Sequence, residues 1–271
     1  MGVGDEFLAN DILRHGAYVC LRAKDPIDRE ALAKAPIAAL ADRMGLQNEY
    51  TTGGAHPLEA IAFLRRHSAV SREIEDFGVE RADWVLHVAS AGSDAVMSFC
   101  VQAQALLEPY AGVRILSGVV RPKNYTGAAM MKWAYDRAVT QQPGAAMPNA
   151  LLLPMRKTPE WWRKDWMERH TYFLPRYDDE GRMISEGHAL ASAPGIPCIY
   201  RRSYHALEQP APEDAYDFVT YFECADADVP IFDQVCANLR DVKRNPEWKF
   251  VREGPTWRGH RVPAWKDLFT D

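Results

Sequence analysis

Two of the chain's eight histidines have neighbours that could place them beside a bound cofactor. His170 ends the stretch "EWWRKDWMERH" and His188 ends "GRMISEGH", and each stretch is typical of helix turns that approach a small or apolar run. A single histidine on a helix that faces an apolar cavity is a common axial ligand of haem iron. Neither histidine has further ligands at the spacing of a zinc site. From the residues alone, an exposed helix histidine is the plainer interpretation of both, and the ligand role stays open.

An arginine pair, Arg201 and Arg202, follows the stretch "PGIPCIY" on a predicted strand. Successive side chains of a strand point to opposite faces, so one of the two arginines must face the covered side of the sheet. A buried guanidinium is costly unless it meets an anion. The pair therefore indicates either an anion-binding site or a salt bridge at the edge of the sheet.

Three tryptophans lie in the long aromatic and charged stretch from Thr158 to Ala191: Trp161, Trp162 and Trp166. They could line a large flat cofactor or form part of a core, and the core is the plainer interpretation. We expect one or two helices in this stretch, around a loop that contains Pro175 and Gly181. Five other histidines receive a structural or surface role. We expect His67 at a solvated helix end, His87 in the core and His260 on a terminal strand, and His15 and His56 belong to the first half of the chain.

The composition is that of an ordinary globular protein of 271 residues, with 47% hydrophobic and 25% charged residues. A net charge of −5 without a long basic run disfavours nucleic acid as a partner. No stretch has the apolar length that a membrane span needs, and the N-terminus lacks the apolar run of a signal peptide. Five cysteines without a CxxC pair disfavour disulfides and structural zinc, so we expect a cytoplasmic location. The absence of CxxCH excludes covalent haem of the c type.

The sequence contains a repeat at an offset of 134 residues. "DWVLHVASAGSDAVMSFCVQAQAL" from Asp83 and "DFVTYFECADADVPIFDQVCANL" from Asp217 each begin with Asp and an aromatic residue and continue as an apolar run of strand length. A helical pattern follows, with apolar residues at steps of three and four: Val96, Phe99, Cys100, Ala103 and Leu107 in the first copy, and Phe232, Val235, Cys236, Leu239 and Val242 in the second.

Each repeat has a strand after its helix and another strand before it. The later strands lie in "GVRILSGVVRP" and "WKFVREGPTWRGHRV", and the earlier strands in "AYVCLRAK" and "PCIYRRSYHAL". This pattern predicts an α+β fold with two ferredoxin-like repeats, whose strands form an antiparallel barrel-like core with helices outside. We expect an N-terminal half over residues 1–127, a connecting helical segment with an aromatic insertion over 128–192, and a C-terminal half over 193–271. Within the connecting segment, "YTGAAMMKWAYDRAV" predicts a helix and "PNALLLPMRK" a strand.

Several short pieces, in order from about Asp83 to Val262, resemble the chlorite dismutase-like haem proteins. They are "GVVRPKNYTGAA", "LLLPMRKTPEWW", "YRRSYH", "YDFVTYFECAD" and "FVREGPTWRGHRV". Each piece is weak by itself, but the ordered set is fairly specific. The resemblance implies two ferredoxin-like halves in one chain, which agrees with the repeat, and a homo-oligomer.

The resemblance also implies a site for haem b. In this family a histidine thirteen residues before a distal arginine ligates the iron, and "YRRSYH" puts that arginine at Arg201, which selects His188 over the alternative His170. Tyr125, Trp161 and Trp162 would line the haem pocket. The implied function is oxygen-atom transfer from chlorite or a related small oxidant, in which Arg201 receives the anion.

Two departures put chlorite itself in question. The alignment brings Arg244 near the position of a carboxylate that supports the proximal histidine in chlorite-degrading members, with Glu247 as a close alternative. An insertion also separates the tryptophan pair from His188, over residues 165–182. The alternatives are a family enzyme with another substrate, either a peroxide-dependent coproheme decarboxylase or a peroxidase-like protein, and a haem-binding α+β barrel without catalysis.

Overall fold

The computed structural model describes residues 14–24, 26–52, 59–67, 79, 81–120, 127–213 and 215–270. The helices are Arg29–Lys34 (α1), Ile37–Arg43 (α2), Glu49–Thr52 (α3), Ser93–Leu107 (α4), Ala128–Tyr135 (α5), Pro159–Arg163 (α6), Trp166–Thr171 (α7), Gly187–Ser192 (α8) and Val229–Arg240 (α9). The strands are His15–Ala23 (β1), Gln47–Asn48 (β2), Ala60–Arg66 (β3), Trp84–Ser90 (β4), Ala111–Val119 (β5), Asn149–Lys157 (β6), Arg176–Tyr177 (β7), Met183–Ser185 (β8), Tyr200–His205 (β9), Phe218–Cys224 (β10), Val251–Glu253 (β11) and Trp257–Val262 (β12).

Eight antiparallel strands form a closed ring. The order is β10-β9-β5-β1-β4-β3-β12-β6, and β6 pairs with β10 to complete it. The two short strands β2 and β11 add to β3 and β6, and β7 and β8 form a separate hairpin. Closure leaves none of the eight strands as an open edge of the ring, as a barrel requires.

Each half of the ring is a four-stranded sheet with the same order. In the first half the sheet runs β5-β1-β4-β3, and in the second it runs β12-β6-β10-β9, so the fourth strand of each half flanks the first. The predicted α+β fold with two ferredoxin-like repeats is therefore confirmed. The second half begins at β6, before the boundary that we placed at residue 193, and β9 corresponds to β3 rather than to β1. The sequence pattern missed this because long helical and loop segments separate β6 from β9.

The two aspartates that begin the repeats have the same structural task. The Asp83 carboxylate accepts a hydrogen bond of 2.9 Å from the backbone N–H of Ala23, at the end of β1. The Asp217 carboxylate accepts one of 2.5 Å from the N–H of Lys157, at the end of β6. Each aspartate thus secures the last residue of its half's first strand, which explains why both copies carry it.

Alternation along the strands separates the barrel interior from the outer faces of the sheets. In the first half the outer face packs under α4, whose five predicted apolar residues are all buried. In the second half α9 covers part of the outer face through Phe232 and Cys236. Val242 lies beyond the end of α9 and is exposed, so its assignment to that apolar face was wrong. The prediction of a helix end at His67 was also wrong, because "FLRR" belongs to β3, where the side chains of Phe63 and Leu64 are buried.

The stretch from Thr158 to Ala191 forms three short helices, α6 to α8, with the β7–β8 hairpin between α7 and α8. The hairpin surrounds Gly181, which has a positive φ of 78° and so suits glycine. In the part of the chain that the structure describes, no helix has the length and apolar character that crossing a membrane would require.

Candidate functional site

A cavity of about 230 Å³ lies against the outer face of the second half's sheet. Its walls come from β6, β9 and β10 on one side and from α5, α8 and α9 on the other. The lining is largely apolar and includes Met130, Trp133, Leu153, Ile199, Phe222 and Val235. Several polar and charged residues interrupt the apolar wall, and His188 with Glu247, Arg201 and His205 among them are described below. A cavity of this kind, apolar with a few convergent polar groups, is the expected form of a ligand site.

His188 reaches the cavity from the first turn of α8. The preceding Gly187 has φ +66°, and a Cβ on it would lie 2.4 Å from the carbonyl oxygen of Leu174. Only glycine fits both conditions, so the "EGH" sequence allows the chain to turn tightly into α8. The backbone N–H of His188 donates to the Tyr172 carbonyl at 3.0 Å, and the Phe173 ring stacks on the imidazole at 4.8 Å. The imidazole is thus held in one orientation.

A carboxylate supports the His188 ring from the side. His188 Nδ1 lies 2.7 Å from Glu247 Oε2, and the other oxygen of Glu247 accepts a short hydrogen bond from Lys157 Nζ. Both Glu247 and Lys157 are buried. Burial lowers the pKa of Lys157 from its ordinary value, although the charges of Glu247 and Asp217 oppose that shift. With Nδ1–H donating to the carboxylate, a neutral imidazole presents its Nε2 lone pair, which is the form that binds a metal.

The structure decides between the two candidates for the carboxylate position. Glu247, which we named as the alternative, contacts His188, whereas Arg244 lies in the loop after α9 and contacts the turn that precedes α8. The Arg244 guanidinium donates to Glu186 Oε1, and its carbonyl oxygen accepts from the N–H groups of Glu186 and Gly187. Arg244 therefore holds the turn that carries the histidine, and its placement near the carboxylate position was wrong by three residues.

The two arginines on β9 point to opposite sides of the sheet, as alternation predicts. Arg201 is exposed and lines the cavity, on the same face as Ser203 and His205. Arg202 is only 4% exposed and lies inside the barrel, where it forms a two-point ion pair with Glu49 at 2.7 and 3.2 Å. The anion that the buried guanidinium requires is thus a carboxylate from the first half of the chain. Among the described residues Arg201, on the outer face, has no such partner inside the barrel, and it lines the cavity, which Arg202 also borders.

Sequence reasoning assigned no role to Glu49 or Lys157, although Lys157 belongs to the stretch "LLLPMRKTPEWW". Glu49 begins the short helix α3 and is completely buried, and Lys157 is the last residue of β6. A buried charged residue can be recognised from sequence only when its partner is known, and both partners here are distant along the chain. His87, predicted as a core residue, is fully buried between Glu49 and Tyr204, which confirms that prediction.

The tryptophan pair does not line the cavity among the described residues. Trp161 is fully buried behind Lys157, whose Nζ lies 4.2 Å from the centre of the indole ring. Trp162 packs against the guanidinium of Arg169, at 5.2 Å. Trp166 is 60% exposed, so the core interpretation fails for this residue. Tyr125, the other expected lining residue, lies outside the described residues.

His170 is separated from the cavity. It lies on α7, where its Nδ1 accepts a hydrogen bond of 3.3 Å from the backbone N–H of Gly127, and it is not among the described residues of the cavity wall. The described residues also contain no group of three or more histidine, cysteine or carboxylate side chains placed to hold a metal ion. Of the two candidate ligands, only His188 lies on the same cavity as Arg201.

The comparisons with known proteins bear on the fold. No protein-family model and no curated protein matches the sequence. Among solved structures, the chlorite dismutase from Candidatus Nitrospira defluvii with imidazole bound is 17% identical, with a TM-score of 0.68 over 98% of this chain and 97% of that chain. This chain has the chlorite dismutase fold. An arginine-to-glutamate mutant of the same enzyme has a TM-score of 0.69 at 17% identity, over 97% of each chain. A protein provisionally assigned as a chlorite dismutase has a TM-score of 0.60 at 14% identity, over 94% of this chain and 97% of that chain.

The resemblance that the short motifs carried is therefore confirmed at the level of the fold. The chlorite dismutase fold extends over nearly the whole chain, including the N-terminal part, for which the sequence motifs matched poorly. At these identities the comparison establishes the fold alone. The activity must be argued from the site itself.

Proposed function

We propose that this protein is a haem b-dependent oxidoreductase of the chlorite dismutase type, with His188 as the axial ligand and Arg201 on the substrate side. The observation that carries the proposal is the pairing of His188 with a buried carboxylate, 2.7 Å from Nδ1, in an apolar cavity that also receives Arg201. Such a carboxylate–histidine pair orients a metal ligand and raises its basicity.

The residues of the cavity fit haem by their chemistry. A porphyrin supplies four of the iron's ligands, so one histidine from the protein would be sufficient to hold it. The apolar wall formed by residues such as Leu153, Ile199 and Phe222 suits a flat, largely apolar macrocycle. His188 would hold the iron, and the haem, when bound, supplies the redox chemistry of oxygen-atom transfer.

The chain's own residues have separate tasks in this function. Glu247 keeps the His188 ring in one orientation and one tautomer, and Lys157 places a cation against the other oxygen of Glu247 in a buried setting. Arg201 attracts and orients a small oxyanion, because its guanidinium presents donors to two oxygens at once. The apolar walls exclude water, which strengthens the attraction between Arg201 and the anion and retains a reactive product.

A peroxide-dependent reaction is the second candidate, since His205 lies on the same face of β9 as Arg201 and also lines the cavity. His205 Nδ1 accepts a hydrogen bond of 3.3 Å from Gln209 Nε2, whose amide is oriented by donation to the Asp217 carbonyl oxygen. A positioned imidazole is a suitable base for a weakly acidic substrate such as hydrogen peroxide, whereas chlorite is already an anion and needs no base.

Haem titration followed by an oxygen-electrode assay tests the proposal. The protein should bind haemin at one equivalent with a Soret shift, and the loaded protein should release oxygen from chlorite. A protein that binds no haemin would refute the proposal. Haem binding with turnover of peroxide alone would favour the second candidate, and haem binding without either reaction would indicate a haem carrier. We also propose that the active form is a homo-oligomer, which sedimentation of the loaded protein would test.

A further inference from the structure

The barrel interior contains a chain of hydrogen bonds that the proposed function does not use. His87 lies between Glu49 and Tyr204, with Nδ1 at 2.9 Å from Glu49 Oε2 and Nε2 at 2.8 Å from the Tyr204 hydroxyl. All three side chains are nearly or completely buried, at 0%, 0% and 2% exposure for His87, Glu49 and Tyr204. A carboxylate, an imidazole and a phenol are thus linked in series inside the core.

From this geometry we infer that Tyr204 is a redox-active tyrosine, which gives up an electron while His87 takes its proton. The inference rests on the proposed function for the identity of the natural oxidant, but not for the chemistry of the tyrosine. A tyrosine that only filled the core would not require an imidazole backed by a carboxylate. A phenol becomes strongly acidic when it loses an electron, and an imidazole backed by a carboxylate can accept its proton at that moment.

The charges decide the direction of the hydrogen bonds. Burial raises the pKa of Glu49, but ion pairing with Arg202 and the contacts with His87 and Arg14 outweigh burial, so the carboxyl is ionised. Burial and the charge of Arg202 lower the pKa of His87 to about 3, so its ring is neutral. A neutral ring that faces a carboxylate at 2.9 Å must carry its proton on Nδ1, although Arg202 Nη2 also approaches this nitrogen at 3.4 Å. His87 Nε2 is therefore the acceptor, and the Tyr204 hydroxyl donates to it.

Tyr204 lies in a cluster of aromatic rings that extends to the cavity. Tyr18 packs at 5.6 Å from Tyr204 and at 5.8 Å from Tyr221, measured between ring centres. Tyr200 shares the inward face of β9 with Tyr204 and also lines the cavity. Arg202 lies among these rings, with its Cζ at 5.8 Å from Tyr200 and 5.9 Å from Tyr204. Tyr200 and Tyr204 thus share Arg202 as a neighbour, and Tyr200 is the ring of this cluster that borders the cavity, where an oxidant would receive the electron from Tyr204.

Tyr204 transfers one electron to a one-electron oxidant in the cavity, a role that bound haem would supply under the proposed function. The O–H bond of Tyr204 breaks, its proton binds to His87 Nε2, and a neutral phenoxyl radical remains. The added positive charge resides on the imidazolium, which Glu49 stabilises through Nδ1. Arg14 and Arg202 disfavour that imidazolium, so the radical is a strong oxidant, and an external one-electron donor would return the electron and reverse the proton transfer.

Photo-oxidation of the haem-free protein tests the inference apart from the proposed function. A ruthenium polypyridyl complex with persulfate supplies the oxidant, and samples frozen after the flash are measured by high-field electron paramagnetic resonance. We expect a persistent tyrosyl radical with a hydrogen-bonded phenoxyl oxygen. The signal should be lost in Tyr204→Phe and in His87→Gln, which lacks a proton acceptor, and retained in Tyr177→Phe, which removes a tyrosine that is 55% exposed.

A persistent signal of equal size in Tyr204→Phe would overturn the inference. If that variant does not fold, fluorotyrosine is placed at position 204 instead. The radical must then show a fluorine splitting, and a spectrum without this splitting would also overturn the inference. The same radical should appear when the haem-loaded protein reacts with peroxide. Its absence there, with the signal present in the haem-free protein, would support the role of Tyr204 and count against the proposed function.

Discussion

Replacing Glu247 with glutamine tests whether a carboxylate, and not merely a hydrogen-bonding group, is needed beside His188. In the native protein each oxygen of Glu247 accepts from a different cation or donor: Oε2 from His188 Nδ1 and Oε1 from Lys157 Nζ. A glutamine has only one acceptor oxygen. If that oxygen serves His188, the amide NH₂ faces the Lys157 ammonium, and two donors meet in a buried site.

The size of the effect follows from burial. The Lys157 and Glu247 side chains are 3% and 4% exposed, so Glu247→Gln leaves a buried ammonium without its main counter-charge. Removing one partner of a buried ion pair costs about 3–5 kcal/mol. Lys157 keeps the indole ring of Trp161 at 4.2 Å, so we expect the lower end of that range. For a urea m-value of about 3 kcal/mol/M, a loss of about 3 kcal/mol moves the unfolding midpoint down by about 1 M.

Two measurements show whether the unpaired charge of Lys157 causes the loss of stability in Glu247→Gln. The pKa of Lys157 is already lowered by burial, and loss of the Glu247 charge lowers it further. The unfolded chain then binds more protons than the folded protein between that lowered pKa and the ordinary value for lysine, so stability rises with pH in this window. The deficit of Glu247→Gln should therefore shrink as the pH rises towards the ordinary pKa of lysine, about 10.4. The double variant Lys157→Met/Glu247→Gln should recover most of the lost stability, because neither ion remains.

The same variant should weaken haem binding by about 10- to 100-fold, since the partner that orients the ligand is impaired. The matched control is Arg182→Gln, which removes a cation that pairs with Asp178 and Glu180 and is not among the described residues of the cavity wall, and it should leave haem affinity unchanged. A stability loss below about 1 kcal/mol, or a double variant less stable than the single one, would refute the reasoning about the buried pair. Equal haem affinity in Glu247→Gln and the native protein would refute the role assigned to the carboxylate.

Three further predictions concern the site. His188→Ala should abolish the five-coordinate haem spectrum while His170→Ala retains it, and the opposite result in an absorption titration would move the ligand to α7. Arg201→Ala should keep haem affinity but lower kcat/KM for chlorite by about 10²- to 10³-fold, as loss of one preorganised electrostatic donor does, and an unchanged rate in the oxygen-electrode assay would remove Arg201 from the substrate side. Gly187→Ala should destabilise the protein by about 1–3 kcal/mol in thermal unfolding, because its φ is +66° and the new Cβ would lie 2.4 Å from the Leu174 carbonyl oxygen; a stability equal to the native protein's would show that the turn adjusts freely.

Periodicity predicted the elements of this fold better than their arrangement. The apolar spacing along α4 and the strand pattern after Asp83 and Asp217 depend on local contacts with the sheet, and both were correct. The place of β6 was misjudged, because which strands pair across the ring depends on contacts between distant segments. His67 was misassigned for a related reason: "FLRRH" is short enough to suit a helix or a strand, and only pairing with β4 and β12 decides between them.

The sequence by itself determined which charged residues could form a site and on which face of β9 each of them lies. Alternation required Arg201 and Arg202 to face opposite sides, and burial of one guanidinium required an anion. Only the tertiary structure decided that the anion is Glu49, 153 residues away, and that Glu247 rather than Arg244 meets His188. A single ionised side chain leaves no periodic signal in the sequence. Its partner is known only from the tertiary structure, in which the closed barrel brings Glu49 to Arg202 and the turn before α8 brings His188 to Glu247.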